Sequence, residues 1–430
     1  MEERKMVKEV LEEFETNKFV CLAGRINAKR KIGRIIFLVL SDQSGFMQLI
    51  CEKKKGYESI FRTFSQIKKG DLISAEGKTT ISKNGEKSIN VNNCIILHKC
   101  QVPENIKDGS LPRFVELNNN RKKFEYHAHC SRLIFQIRGK LHENNFLEFN
   151  TGIIHDSYGG GFSKPFRTQL NAQKKEVFLR TNLEIKLKQL LASGYENVFE
   201  MGNVFRNEGL NFNNSPEFIV LEAYKAFSSC EEMMNLLEKL IKASVNGLGV
   251  DVFNQRINTF QPWNRITFME ALNSVGDGSY INEELSNILI DYGFDKFNGG
   301  EEQMVRKVVG KVIMPQIKYP TFITELPSEF FPLAKTSSNN PNMSEGSILV
   351  INGEFIADVY ADEIDSVKVE RFLEKQAKAT QNPIDNDFIK LLRFGIPPSA
   401  GFGLGINRLL LTLGDYGKNI KETFIFPPFK

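Results

Sequence analysis

The sequence predicts an α+β protein with two domains, a small N-terminal β-barrel and a larger domain in which strands alternate with helices. Two observations support this prediction. Up to residue 97 the chain consists of short β-branched and aromatic segments separated by turn-forming sequences, and from residue 124 helical and strand patterns alternate. With 430 residues, 41% of them hydrophobic, the chain has ordinary globular composition and room for two or three domains.

The barrel is predicted from five short strand-like segments that follow an amphipathic helix over residues 1–15. These segments are 20–26, 35–40, 46–51, 72–79 and 88–97. Residues 57–67, between the third and fourth segments, have a helical pattern. Five strands with a helix after the third are typical of an OB-fold barrel, a common platform for single-stranded nucleic acid. We assign this domain to residues 16–102.

Charge is unevenly distributed along the chain, although the net charge is only +4. Residues 16–115 contain 18 Lys and Arg against 8 Asp and Glu, whereas residues 116–430 contain 35 against 38. A basic N-terminal region indicates a polyanionic partner. From charge alone, a solvated basic face without a partner is an equally good interpretation.

Hydropathy and cysteine content indicate a cytosolic protein. The sequence contains no run of about 18 apolar residues, and its charged N-terminus does not resemble a signal peptide. The six cysteines include no C-x-x-C pair, so reduced thiols are expected. A zinc site is a disfavoured alternative, because the spacing of its candidate ligands matches no familiar pattern. Those candidates are His98, Cys100, His127, His129 and Cys130.

The second domain is predicted over residues 124–430, after a linker over residues 103–123 that contains Pro103, Gly109 and Pro112. The domain opens with a helix that carries an apolar stripe. The residues of the stripe are Cys130, Leu133, Ile134, Ile137 and Leu141.

Two arginines are the most informative feature of the second domain. Apolar runs at 195–205 and 216–227, joined by a polar loop, predict an antiparallel hairpin with Arg206 where the first strand meets the loop. Downstream, residues 399–408 form a glycine-spaced strand that runs into an apolar helix, with Arg408 at its start. Two guanidinium groups on backbone that can approach a ligand closely suit a nucleotide triphosphate, and Arg206 can stabilise charge that develops on an α-phosphate.

The order of these segments resembles the class II aminoacyl-tRNA synthetases, and among them the lysyl-tRNA synthetases. The resemblance rests on residues 198–209, on Pro216-Glu217-Phe218, and on residues 316–325 and 397–408, and it covers nearly the whole chain. It implies a class II antiparallel-sheet catalytic domain flanked by helices, behind an OB-fold anticodon-binding domain. It also implies a reaction with ATP and Mg²⁺, in which the amino-acid carboxylate attacks the α-phosphorus and a tRNA hydroxyl then attacks the aminoacyl-adenylate. Positioning and electrostatics would supply most of the catalysis.

The resemblance implies a role for each residue that matches a family motif. Arg206 and Arg408 are the catalytic arginines on the α- and γ-phosphates, Phe218 stacks on adenine, and Glu208 contacts adenine. Glu354 matches one of the acids that bind magnesium.

For the amino acid, the resemblance implies that Gly160 and Glu184 surround the α-amino group. Glu222 and Tyr224 match further pocket positions, Tyr224 beside the side-chain amine.

One position of the amino-acid pocket departs from the family. An ungapped comparison places Ala361 at the glutamate that pairs with the substrate's side-chain ammonium. An unpaired buried ammonium costs roughly 3–5 kcal/mol. Asp358, or Asp362 through a one-residue shift, is the candidate replacement.

In the barrel, the resemblance implies that four residues grip the central uridine of a lysine anticodon. Phe37 offers a stacking face, and Arg30, Gln48 and Glu86 offer hydrogen bonds to the base edge. This assignment gives the basic region a partner, a tRNA of lysine type.

Three further departures affect the implied dimer and the nucleotide site. Gly152 stands where the family has a proline late in motif 1, a motif that helps to form the family's homodimer interface. In the hairpin loop, Asn213 and Asn214 replace an Arg-His pair, which removes cationic contacts to the triphosphate. Ser347 aligns with the second magnesium-binding glutamate, although Glu345 is close by.

Three functions are therefore open from the sequence. The first is an ATP-dependent aminoacyl-tRNA ligase that activates lysine or a lysine-like substrate. The second is a paralogue with a pocket remodelled for another amino acid, and the third is a weakened protein that binds tRNA or an amino acid for regulation. The anticodon residues argue against a ligase with an acceptor other than tRNA.

Overall fold

The chain divides into two units, Met1–Arg121 and Lys122–Lys430. The structure is a computed structural model that describes residues 3–101, 112–157, 163–248, 257, 260–275, 285–293, 301–331, 333–380, 384, 386–414 and 419–427. In this part of the chain no helix is both long enough and apolar enough to cross a membrane.

The first unit contains a closed five-stranded barrel with the strand order β1-β2-β3-β5-β4, which confirms the predicted OB fold. The strands are β1 (Phe19–Ile32), β2 (Ile35–Ser41), β3 (Phe46–Glu52), β4 (Leu72–Ile81) and β5 (Lys87–His98). Helix α1 (Val7–Glu12) packs on the barrel core through Val7 and Val10, and helix α2 (Glu58–Gln66) follows the third strand as predicted.

Strand β1 continues well beyond residue 26, where the sequence pattern predicted its end. Its first half pairs with β4 and its second half with β2, so one long strand serves two neighbours of the barrel. An irregularity between Ile26 and Ala28 marks the change of partner. Bulges of this kind increase strand twist and help a sheet to close.

Helical structure begins within the linker predicted over residues 103–123. Helix α3 spans Arg113–Asn119 and helix α4 spans Arg121–Glu143, so residues 113–119 and 121–123 of the expected linker are helical. Pro112 is the N-cap of α3, where proline's missing N–H costs no hydrogen bond. Pro112, one of the residues that indicated an irregular segment, therefore marks the start of a helix. Residues 102–111 lie outside the described part of the chain.

The second unit is built on an eight-stranded sheet with the order β12-β13-β14-β15-β16-β11-β10-β6, antiparallel except for its two outermost pairs. The strands are β6 (Leu147–Glu148), β10 (Asn197–Phe205), β11 (Glu217–Ala226), β12 (Asn264–Thr267), β13 (Thr321–Thr324), β14 (Gly346–Ile351), β15 (Glu354–Ala361) and β16 (Ser399–Gly405). A small sheet holds β7 (Ile154–His155), β8 (Arg167–Leu170) and β9 (Lys175–Leu179). The predicted hairpin is β10 and β11, paired from Asn197–Lys225 to Phe205–Glu217.

Helices cover one face of the large sheet. Helix α4 buries its apolar stripe there, and helix α6 (Cys230–Asn246) packs beside it. Alternation along the strands sends Leu221, Val359 and Phe402 into this core, so their neighbours in sequence point to the opposite face. The other described helices are α5 (Glu184–Ala192), α7 (Phe268–Val275), α8 (Leu285–Asp291), α9 (Glu301–Val308), α10 (Ser366–Thr380), α11 (Asn386–Phe394) and α12 (Ile406–Leu413), with a π-helix at Val309–Ile313 and 3₁₀-helices at Met314–Gln316 and Ile420–Thr423.

Candidate active site

A cavity of about 380 Å³ lies on the sheet face opposite α4 and α6. It collects most of the site residues that were expected from widely separated parts of the sequence. The expected residues that line it are Glu184, Arg206, Glu208, Phe218, Glu222, Tyr224, Asp358 and Arg408. Gly160 lies outside the described residues.

Glycines on β16 make room for the side chains that cross the floor of this cavity. A Cβ atom at Gly403 would lie 2.6 Å from Asp358 Oδ1, and one at Gly401 would overlap the ring of Tyr224. Gly405, by contrast, has only ordinary contacts around its Cβ position. The glycine spacing at 401 and 403 therefore reflects side chains from the neighbouring strands as well as access for a ligand.

Arg206 and Arg408 bring positive charge to the cavity wall. The Arg206 guanidinium lies 5.3 Å from the Phe218 ring centre and donates through Nε to Thr181 O at 3.3 Å, and Arg408 lies 5.6 Å from the Phe355 ring centre. Burial lowers the pKa of Arg408, and the nearby Arg206 lowers it further. Two partly desolvated like charges favour an anionic ligand between them.

Carboxyl groups also line the cavity. Glu222 accepts hydrogen bonds from Leu183 N at 3.1 Å and from the Tyr224 hydroxyl at 3.1 Å. Burial, reinforced by the neighbouring Glu184 and Asp358, raises the pKa of Glu222 to about 8. Burial likewise raises the pKa of Asp358 to about 6. A ligand cation is the partner that would relieve this crowding of acids.

A β-bulge in β15 decides which of its side chains reach the cavity. Val350 pairs with Phe355 but Leu349 pairs with Ala357, so Ile356 is an extra residue, and both Ile356 and Ala357 pack in the core. Beyond the bulge, Asp358 and Tyr360 line the cavity.

Ala361 belongs to the opposite face of β15. Its side chain packs in the core, and its N–H donates to Glu345 O at 3.0 Å. The bulge inserts one residue into β15 and so exchanges the faces of the residues that follow it. Asp362, the alternative to Ala361, is buried and is not among the residues that line the cavity.

Arg306 and Asn407 are among the cavity-wall residues that were not singled out from the sequence. Arg306, from α9, lines the cavity while its Nε donates to Glu302 Oε1 at 2.9 Å. Nothing in the sequence connects this helix with the two arginine motifs. Asn407, next to Arg408, lines the cavity and accepts from Ile219 N at 2.7 Å, which ties helix α12 to strand β11.

The loop of the β10–β11 hairpin also reaches the cavity, through Asn213 and Asn214. Their backbone N–H groups both donate to Asn211 Oδ1 at 2.9 Å, an Asx turn that shapes the loop.

The candidate magnesium residues are more dispersed. Glu354 does not line the cavity, but it is close enough to Arg408 to favour the charged guanidinium. Ser347 is fully buried in β14, and Glu345 pairs with Lys335 at 2.8 Å. Protein sites for Mg²⁺ usually supply one or two carboxylates and take the remaining ligands from phosphate and water, so Glu354 fits such an ion only together with a nucleotide.

Nowhere among the described residues do three or more His, Cys, Asp or Glu side chains come together in a way that could hold a metal ion. The zinc candidates are included in that statement. Cys130 is buried in the core, and burial raises its pKa to about 12, which disfavours the thiolate that zinc requires.

Gly152 has a backbone conformation that proline cannot adopt. Its φ is +85°, whereas the proline ring fixes φ near −65°. Gly152 O accepts from Arg180 Nη1 at 3.0 Å, and the same arginine pairs with Glu200 at 2.5 Å in a buried ion pair. A proline at this position would therefore require a different local backbone.

Three of the expected anticodon residues, Arg30, Phe37 and Gln48, lie on adjacent strands of the barrel, and Glu86 lies in the turn just before β5. Arg30 and Phe37 are direct cross-strand partners, with the guanidinium 5.4 Å from the ring centre. Gln48 on β3 donates through Nε2 to Ser88 Oγ at 2.9 Å, and Ser88 Oγ donates to Glu86 O at 2.9 Å. Ser88 was not anticipated from the sequence, and it fixes the orientation of the Gln48 amide.

Comparisons with known proteins agree with this architecture. Residues 112–430 match the family described as tRNA synthetases class II (D, K and N), and residues 20–97 match the OB-fold nucleic acid binding domain. The chain therefore belongs to the class II tRNA synthetases, which confirms the family predicted from the motifs. It is accordingly an ATP-dependent enzyme that ligates an amino acid to tRNA.

The similar proteins are more specific in name. "Lysine--tRNA ligase 2" of Methanosarcina acetivorans is 35% identical over 97% of this chain and 87% of its own length. "Lysine--tRNA ligase" of Thermoanaerobacter pseudethanolicus is 33% identical over 99% of this chain and 89% of its own length. "Lysine--tRNA ligase, chloroplastic/mitochondrial" of Arabidopsis thaliana is 30% identical over 96% of this chain and 77% of its own length.

Proposed function

We propose that this enzyme ligates lysine to tRNA. The observation that carries the proposal is that one cavity is lined both by Arg206 and Arg408 and by Glu184 and Glu222. A nucleotide triphosphate complements the arginines, and an amino acid with a second ammonium group complements the acids. The names of the similar proteins support the same substrate.

At the nucleotide end, Arg206 binds the α-phosphate and Arg408 the γ-phosphate, so that both oppose the charge that grows as the lysine carboxylate attacks. Phe218 stacks on adenine, held in place by its contact with Arg206. Glu208 contacts the adenine edge. Glu354 would hold a magnesium ion, which neutralises phosphate charge when it is bound with ATP.

At the amino-acid end, Glu184 and Gly160 receive the α-amino group, and Glu222 with Tyr224 receives the side-chain ammonium. The hydrogen bond between Glu222 and Tyr224 supports this pairing, because it orients the carboxylate within the cavity wall. Asp358 supplies further negative charge near the same end. Ala361 has no place in this assignment, since its side chain lies in the core.

The tRNA is recognised in part by the barrel, through a central uridine in the anticodon. Phe37 stacks on the base, and Arg30 and Glu86 contact its edge. With Nε2 bonded to Ser88, the amide oxygen is the atom that Gln48 offers to the N3–H of uracil.

We also propose that the enzyme is a cytoplasmic homodimer. Large apolar side chains are exposed on α4, β6 and β7, at Phe135, Leu147 and Ile154, and exposed apolar groups of this size favour an interface. All six cysteines are free, in keeping with a reducing compartment. Light scattering after size exclusion tests the dimer directly, and a monomer at micromolar concentration would refute it.

The decisive test of substrate is amino-acid-dependent exchange of pyrophosphate into ATP, with every standard amino acid assayed in parallel. We expect exchange with lysine and at least tenfold less with arginine or ornithine at equal concentration. Exchange with a different amino acid would instead establish a remodelled pocket. The absence of exchange with all of them would show that the activation step is lost.

A further inference from the structure

Lys188 is a buried lysine directly behind the amino-acid end of the cavity. Its side chain, on α5, is only 1% exposed. Its ammonium contacts two carboxylates, Glu184 Oε1 at 2.6 Å and Asp362 Oδ1 at 2.7 Å. Lys188 itself does not line the cavity, and the site described above does not use it.

Aromatic rings enclose the same ammonium. Its distances from the ring centres are 5.5 Å for Tyr224, 5.6 Å for Tyr360 and 5.7 Å for Phe388. Burial alone would lower the pKa of Lys188, but Asp362 and Glu184 overcome it and raise the pKa above its ordinary value. The group is therefore a permanent cation inside the protein.

The two partners of Lys188 differ in their access to a ligand. Glu184 lines the cavity, and both of its hydrogen bonds, from Lys188 and from the Tyr360 hydroxyl at 2.7 Å, fall on Oε1. Its second oxygen is thus the one that can accept from a ligand. The Asp362 side chain is 0% exposed, and its Oδ2 accepts from Ser399 Oγ at 2.6 Å.

We propose that Lys188 is a positioning residue for the amino-acid substrate. The ammonium of Lys188 orients Glu184 toward the cavity and keeps Asp362 away from it. Glu222 and Tyr224 then receive the side-chain ammonium of the substrate. Lys188 thereby pairs with Asp362, the carboxylate that the one-residue shift would otherwise assign to the side-chain ammonium of the substrate. The proposal rests on lysine being the substrate.

The positive charge of Lys188 explains why this residue affects the binding of the substrate. Six acidic and phenolic groups surround the Lys188 ammonium and the adjoining part of the cavity. They are Glu184 on α5, Glu222 and Tyr224 on β11, Asp358 and Tyr360 on β15, and Asp362 just after β15. Without the resident cation, Glu184 and Asp362 would share a site with no counter-charge, and a proton would bind to the pair at neutral pH. A protonated Glu184 is a poor acceptor for the α-ammonium of the substrate.

Lys188→Met tests the proposal by removing the charge while keeping an unbranched side chain. In pyrophosphate exchange at pH 7 we expect the KM for lysine to rise about tenfold or more, with the KM for ATP unchanged. The deficit should shrink as the pH is raised to 9, because the acids ionise again. A purely structural role would alter both KM values together and would not produce this pH dependence.

Lys242→Met is the matched control. Lys242 also pairs with a glutamate four residues earlier, Glu238 at 2.5 Å, and lies 5.4 Å from the ring centre of Trp263, but neither Lys242 nor these partners line the cavity. We expect this variant to have the same KM for lysine as the unmodified enzyme at every pH. Equal lysine KM values and equal pH profiles for the two variants would overturn the proposal.

Asp362→Asn and Glu222→Gln provide a test that does not require Lys188→Met to fold. Asp362→Asn is expected to change the KM for lysine less than about threefold, whereas Glu222→Gln raises it about a hundredfold. A loss with Asp362→Asn as large as that with Glu222→Gln would show that Asp362 binds the substrate. Exchange by the unmodified enzyme with lysine is measured first, so that a wrong substrate assignment is distinguished from a wrong role for Lys188.

Discussion

The Glu222 carboxyl group is buried between other acids, and its pKa of about 8 means that it carries a proton at neutral pH when the cavity holds no ligand. The incoming side-chain ammonium of the substrate needs the ionised form. Glu222 must therefore lose a proton when lysine binds, which couples substrate binding to pH.

Calorimetry measures this proton directly. At pH 7, lysine binding in buffers of different ionisation enthalpy should release up to one proton per site, and the affinity for lysine should rise as pH increases from 6 toward 8. Glu222→Gln should abolish the release. Binding heats independent of the buffer would contradict the assignment of Glu222 to the substrate ammonium.

The same carboxyl group makes the free energy of unfolding decrease as pH rises, whereas it makes the affinity for lysine increase. Since its pKa is raised on folding, Glu222 favours the folded state below its ordinary pKa, and this contribution is lost as pH rises through about 8. Glu222→Gln cannot ionise and should escape the loss. We expect its melting temperature to match that of the unmodified enzyme at pH 5 and to exceed it by roughly 3 °C or more at pH 9. An equal difference at both pH values would refute this prediction.

Among the elements, β16 shows how one strand constrains its neighbours. At Gly401 a Cβ atom would meet the Tyr224 ring and would lie 2.8 Å from Ala223 O, which is backbone and cannot move aside easily. At Gly405 the nearest atom, Ile356 O, is 3.6 Å away. Both glycines lie on the same strand, so they form a matched pair for substitution.

Gly401→Ala is expected to destabilise the protein by about 1–3 kcal/mol, the usual range for overpacking, because the added methyl group must displace Tyr224. Gly405→Ala should change the free energy of unfolding by much less. Thermal or urea unfolding without ligand compares the two. Similar unfolding curves for both variants would mean that the tight approach of β16 to β11 is absent.

At the level of the whole molecule, activation and anticodon recognition are assigned to different folding units. Residues 1–121 contain the barrel, and residues 122–430 contain the cavity. Each unit has its own apolar core. Substitutions in one unit should therefore separate the two functions.

Arg206→Ala should reduce lysine-dependent pyrophosphate exchange by at least about a hundredfold, while tRNA binding measured by filter retention is nearly unchanged. Phe37→Ala should do the reverse, with a loss of about 1–3 kcal/mol in tRNA affinity from the missing stack. If Phe37→Ala left tRNA binding unchanged, the uridine contact would be wrongly placed.

The sequence by itself determined the features that depend on neighbouring residues: the five barrel strands, the hairpin that carries Arg206, and the glycine-spaced strand before Arg408. Such patterns are local, because alternation and turn residues are read over a few positions. Tertiary structure decided which face of β15 each residue occupies, since one extra residue at Ile356 exchanges the faces of everything that follows. It also decided that Arg306 reaches the cavity and that Lys188 meets Asp362, because such contacts join residues far apart in the chain and leave no periodic signal in the sequence.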